Sequence, residues 1–162
     1  MTSLITPCFT DANGCLVCPA VAPIPAVPEV VTSSASPAWN CGANSVAMLD
    51  GDIHSVFSVD SMPTGIAIGL KYSRISPVAP PRIDYGFRLY AVGGATVIEV
   101  WEGVLQRLSA TPYTLGTALE IRRVGGKVIY LIGGQVGYKS SLPSLGPMIV
   151  NACLYSAGDE VT

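Results

Sequence analysis

Two glycine pairs limit what the C-terminal part of this chain can become. Between Ala118 and Ser141 the sequence reads ALEIRRV, then Gly125-Gly126, then KVIYLI, then Gly133-Gly134, then QVGYKSS. Glycine reaches positive φ without steric penalty, and two in a row make the type I′ or II′ turn of a tight hairpin. In the first run Leu119 and Ile121 alternate with Glu120 and Arg122. In the second, Val128, Tyr130 and Ile132 alternate with Lys127, Ile129 and Leu131, so both faces can be covered. The pattern predicts an antiparallel meander in a sheet packed on a second sheet.

Composition narrows the class further. At 162 residues the chain is long enough for one domain with a sizeable core. Apolar residues make up 49% and charged residues 12%, the latter about half the usual share. With 17 Gly and 13 Pro, this suits a turn-rich β protein that hides surface against partners. A net charge of −2 argues against nucleic acid as a partner, because phosphate binding draws on a basic surplus. No run approaches the roughly eighteen apolar residues of a membrane helix, so no membrane partner is expected. The opening MTSLITPCFTDANG lacks the basic start of a secretory signal. The chain is therefore expected to start here and to be made in a cytoplasm.

Two segments are expected: an extended arm over residues 1–37 and a β-sandwich domain over 38–162. The arm holds Pro7, Pro19, Pro23, Pro25, Pro28 and Pro37 and no Lys or Arg. PAVAPIPAVPEVV is too proline-broken for a helix or a central strand and reads as polyproline-like chain. Val21, Ile24, Val27, Val30 and Val31 are apolar where a free linker would be polar, which favours a docking arm. In the domain, Ile53, Ser55, Phe57 and Val59 share one strand face, and Ile66, Ile68 and Leu70 share another. A Ser- and Pro-rich loop, SRISPVAPPR, comes next. Ile83, Tyr85, Phe87 and Leu89 are expected inward, with Asp84, Arg88 and Tyr90 outward, before Gly93-Gly94. TVIEVWEG is a further strand, VLQRLSATPYTLG a loop with a short strand, and Met148, Val150, Ala152 and Leu154 line the last strand. About nine strands and no long helix, with turns every 8–12 residues, predict a β-sandwich or jelly roll.

The order of these pieces resembles the concanavalin A-like (lectin/glucanase) jelly-roll modules of bacteriophage tail, fibre and virion surface proteins. The residues that carry the resemblance are Trp39, Asn40 and Gly42, then Tyr85, then Glu99 with Gly103. Leu119-Glu120-Ile121-Arg122-Arg123 running into Gly125, and Leu154-Tyr155-Ser156, complete the series. It covers about residues 39–160 and leaves the arm out. The resemblance implies two packed antiparallel sheets and a binding or structural role, not an active site.

No catalytic signature competes with that reading. Glu99 and Glu102 are separated by an odd step, so on a regular strand they face opposite sides and cannot form a glycosidase carboxylate pair. Asp50 and Asp52 fall in a turn. His54, the only histidine, sits too close along the chain to Asp52 and Ser55 to build a triad with them. Cys15 and Cys18 have C-x-x-C spacing, and with Cys8 and Cys41 they invite three readings. Disulfides among Cys8, Cys15, Cys18 and Cys41 are favoured, since a segment without a core gains most from cross-links. Free thiols are second, above all for Cys153 in the last strand. A four-thiolate metal site is third, because only one C-x-x-C pair is present. A sugar site requires an aromatic platform, and Trp101, Tyr90 and Tyr138 are the candidates. Tyr85 and Tyr113 are the remaining rings weighed, and Tyr85 reads as core. No motif calls for a cofactor.

The expected function is thus a non-enzymatic structural or attachment protein of a bacteriophage virion, on tail, fibre or capsid. Its partners would be other virion structural proteins and, as a homotrimer, copies of itself, and its place would be the virion. The alternative is a lectin-like module that binds a host surface glycan. A hydrolase on the same fold is a third and weaker reading.

Overall fold

The computed structural model of the protein describes residues 39, 41–45, 47–72 and 83–162, together with the backbone of short strands at 9–10, 16–17 and 31–32. Apart from those strands, the arm lies outside the described residues, as do the side chains of Cys8, Cys15, Cys18 and Cys41. Near the N-terminus, β1 (Phe9–Thr10) pairs with β2 (Leu16–Val17). Next come β3 (Val31–Thr32), β4 (Cys41–Asn44), β5 (Ile53–Phe57) and β6 (Ile66–Lys71). β7 (Tyr85–Val92), β8 (Ala95–Glu102) and β9 (Leu105–Pro112) form a meander. β10 (Leu119–Val124), β11 (Lys127–Ile132) and β12 (Gln135–Pro143) form a second. β13 (Ile149–Leu154) and β14 (Glu160–Val161) close the chain. Among the described residues there is no helix.

Both expected glycine hairpins are present. Gly125 and Gly126 have φ of 55° and 75°, and Gly133 and Gly134 have 57° and 76°. Two positive φ values in a two-residue loop make a type I′ turn, whose twist matches that of its strands. The turns set the pairings Val124↔Lys127 and Ile132↔Gln135. With β5 added at one edge, they build a four-stranded sheet in the order β12-β11-β10-β5. The other sheet is six-stranded, β4-β13-β6-β7-β8-β9. Every pairing is antiparallel.

The inner faces of the two sheets meet in one core. Ile66, Ile68, Leu70, Phe87, Leu89, Ile98 and Val100 come from the six-stranded sheet, Phe57, Leu119, Ile121, Val128 and Tyr130 from the other. The Phe87 and Tyr130 rings bridge the layers edge to face, with centroids 5.5 Å apart. The fold is therefore the antiparallel β-sandwich that the alternation predicts.

Two local expectations need correction. Leu105–Pro112 is a full eight-residue strand, not a loop. Its alternation is faint because it is an edge strand with little buried surface. Ile83 is buried, but on the outer face, beside Ala67 and Cys153. The strand starts only at Tyr85, so the inward alternation does not reach back to residue 83. Ile83 lies instead across Gly69 and Gly86, where a Cβ would come within 3.0 Å and 2.6 Å of its Cγ2. In that outer cluster Cys153 is fully buried and free, and burial pushes its thiol up to about 11.

The end of the sandwich is tied by Asp159. It is 2% exposed and accepts hydrogen bonds from the backbone N–H groups of Thr64, Gly65, Tyr155 and Ser156. The β6 approach and the segment after β13 thus hang on one carboxylate. Replacing it strands several buried donors, and bonds to a charged acceptor are the strong ones. Asp159→Ala should lower unfolding stability by about 3 kcal/mol in urea titrations. A loss below about 0.5 kcal/mol, the usual surface effect, would show that water replaces the carboxylate freely.

Candidate functional site

The outward face of β7, β8 and β9 carries a cluster of polar and aromatic side chains. The Gly93-Gly94 turn pairs Val92 with Ala95, and counting back along the hairpin puts Arg88 directly across from Glu99. Tyr90 and Trp101 fall on the same face by alternation, and Gln106 joins from β9, across from Trp101.

Glu99 is the hub. Its carboxylate accepts from Trp101 Nε1–H at 2.6 Å, from Tyr90 O–H at 2.8 Å and from Gln106 Nε2–H at 2.8 Å. It is 6% exposed, whereas Trp101 and Tyr90 are half-buried and Gln106 is exposed. A buried carboxylate is costly unless its oxygens are taken up, and here three donors take them up. The bond to Glu99 also holds the Tyr90 phenol above its ordinary value. The Arg88 guanidinium lies 5.5 Å from the centroid of Trp39, 5.9 Å from Tyr90 and 5.6 Å from Trp101. Trp39 in turn packs on Tyr155, centroid to centroid at 5.3 Å. The result is a set of aromatic rings fixed in orientation, with a cation among them.

Of the ring candidates from the sequence, Trp101 and Tyr90 are brought together here. Tyr138 is elsewhere: it packs against Tyr130, 5.8 Å between centroids, at the margin of the core under the four-stranded sheet. Tyr85 and Tyr113 are core residues. Arg88, Gln106 and Trp39 are members of the cluster that residue type alone did not single out.

Glu102 lies on the opposite face of β8 from Glu99. Its carboxylate pairs with Arg107 at 2.9 Å and accepts from the buried Tyr130 hydroxyl at 3.4 Å. The two carboxylates are thus separated by the sheet and cannot flank one glycosidic bond. His54 pairs with Glu120 at 2.9 Å on the outer face of the four-stranded sheet, where Arg122 also binds Glu120 at 2.6 Å. Those two partners hold the Glu120 carboxyl below the usual range. Asp50 pairs with Arg123 at 3.6 Å, and Asp52 accepts from the Gly125 N–H, so both acids serve the hairpin end. Among the described residues no group of three or more His, Cys, Asp or Glu is placed to hold a metal ion.

In structure the chain resembles the PSpry domain of TRIM65, with a TM-score of 0.50 at 14% identity, over 78% of this chain and 71% of that one. The fold is that of a concanavalin A-like β-sandwich. Other solved structures that match are the galectin LEC-6 of Caenorhabditis elegans and a toad ovary galectin in complex with thio-digalactose. LEC-6 gives a TM-score of 0.42 at 19% identity, covering 82% of this chain and 95% of that one. The toad galectin gives 0.39 at 18%, covering 79% and 98%. At these identities the likeness is one of fold. No family model matches the chain, and no curated protein matches it in sequence.

If Glu99 fixes the rings, removing it should free them without unfolding the domain. Glu99→Ala is expected to shift tryptophan emission to the red and to raise acrylamide quenching, with the far-ultraviolet spectrum unchanged. Unaltered emission would mean that packing alone holds Trp101.

Proposed function

We propose that this chain is a non-enzymatic, lectin-like module that binds a glycan on the outward face of β7, β8 and β9. One observation carries the reading: Glu99 locks Trp101 and Tyr90 as half-open rings next to the unpaired Arg88 and the exposed Gln106. Sugars are bound where an apolar ring face stacks on an aromatic and hydroxyls meet preset polar groups. The separation of Glu99 from Glu102 supports binding without hydrolysis. The test is a glycan array with the whole chain, followed by Trp101→Ala. Loss of the aromatic platform should weaken binding at least about tenfold, equivalent to about 1.4 kcal/mol. Silence across bacterial surface polysaccharides and oligosaccharide arrays would end this reading.

A second reading is self-assembly through the arm, as a virion subunit would use it, and one observation bears on the docking step. An apolar cleft of about 240 Å³ opens between the edge strands β4 and β5, lined by Phe57, Ile68, Val150, Ala152, Val161 and Thr162. β3 runs antiparallel to β14, with Val31 across from Val161, a residue that lines this cleft. The apolar, proline-rich residues before it suit an arm that enters the cleft of a neighbouring copy in a homotrimer and anchors to other virion proteins. Removing residues 1–30 keeps the β3–β14 pair and takes away only the arm. Light scattering should then report a monomer where the full chain gives an oligomer. An unchanged mass would remove the arm from assembly.

A further inference from the structure

We propose that the ligand of the Arg88 face is an acidic glycan, whose carboxylate accepts from the Arg88 guanidinium while a neighbouring sugar ring lies on Trp101. The inference rests on the glycan-binding reading above and specifies its substrate class.

Charge pairing singles out Arg88. Arg107, Arg122 and Arg123 each have a carboxylate within 3.6 Å, from Glu102, Glu120 and Asp50 respectively. Arg88 alone among the described arginines is in no ion pair. The acid opposite it, Glu99, accepts from Trp101, Tyr90 and Gln106 and forms no ion pair with Arg88. The Nε of Arg88 is buried and has no hydrogen-bond partner, as is also true of Thr96 Oγ1 and Arg123 Nη2 among the described residues. A buried donor left unmatched calls for an explanation, of which an ordered water or ion is one.

The rings around Arg88 do not answer this need. A cation over an aromatic face gains electrostatic attraction from the ring, but the guanidinium N–H bonds lie in its own plane and still require acceptors. What Trp39, Tyr90 and Trp101 supply is confinement, since they hold the planar group at 5.5–5.9 Å. A guanidinium held in place loses little freedom on binding, and its parallel N–H pair matches the two oxygens of a carboxylate. A neutral sugar hydroxyl offers one acceptor and no charge, and so fits this group less well. The adjoining rings and Gln106 leave the flanking surface suited to a pyranose. Uronic and sialic acids carry both features in one residue.

The experiment measures binding of the full chain by calorimetry to three probes: trigalacturonate, a glucuronate-capped trisaccharide and a sialic-acid-capped trisaccharide. Each is paired with its carboxyl-reduced form. At least one acid should bind ten or more times tighter than its reduced partner, with the difference shrinking as salt is raised. In Arg88→Met, which keeps an apolar stem under the rings, that ratio should fall to near one. Arg88→Lys, with charge but no fork, should fall between. Equal binding of acids and reduced forms to the parent chain overturns this inference and leaves the glycan reading standing. Neutral oligosaccharides alone scoring on the array do the same. Absence of binding to every acid, every reduced form and the array overturns both. The ratio measured on the parent chain decides the matter even if Arg88→Met does not fold.

Discussion

Register, set by glycine at two-residue turns, is the constraint on which this molecule depends. A strand's side chains alternate, so a slip of one residue would exchange its buried and exposed faces. Type I′ loops at Gly93-Gly94 and Gly125-Gly126 each fix one cross-strand pair from which the register runs unbroken, whereas the Gly133-Gly134 hairpin starts from Ile132↔Gln135 and shifts register between Tyr130 and Leu131 and again between Lys127 and Ile129. Everything downstream is counted from those pairs. Tyr130 faces Phe87 across the core, and Arg88 stands across from Glu99 on the outside, because the turns put them there.

The same pairing makes a polar cluster affordable on the outer face of the six-stranded sheet. Glu99 is nearly buried and charged, which costs free energy unless donors converge on it. Trp101 and Gln106 come from positions that face each other across β8 and β9, and Tyr90 from β7. No flexible loop supplies any of the three. The site is therefore as rigid as the sheet, and a ligand would meet rings already oriented. Arg88 is the exception in that its orientation is fixed by rings while its hydrogen-bonding capacity is left unspent.

Much of this was legible in the order of residues. The Gly-Gly pairs and the alternation of Ile66, Ile68 and Leu70, or of Leu119 and Ile121, were enough to place two packed sheets. The opposition of Glu99 and Glu102 followed from parity alone. The Arg88–Glu99 pair was within reach too: counting four residues back from Val92 and four on from Ala95 gives it directly. Residue type carries no signal for it, because the pairing shows only once the hairpin register is counted. Other features had no local signal. The Gly103-Val104 turn needs one positive φ, at Gly103, so it lacks the paired glycines that announce the other hairpins, and β9 was obscured with it. Ile83 shares the parity of Tyr85 yet faces the other way, since alternation holds only inside the strand. The joining of Trp39 to Arg88 spans a long stretch of sequence and depends on how the chain enters the fold.

Stability and recognition are held at different places, and the division explains how such a face can vary. Asp159 ties the segment after β13 to the approach to β6, and Arg123 donates to the Gly51 and Gly146 carbonyls at 2.6 Å each, at the hairpin end. Both are about 2% exposed, and neither touches Glu99. Substitutions at Tyr90, Arg88 or Gln106 then act on side chains whose strands are paired through backbone bonds and backed by a separate core. Effects at sites without shared partners add nearly independently. A sandwich built this way can change what its outer sheet face binds with little change in how it folds, and a change at Glu99 acts on the rings it supports from beneath.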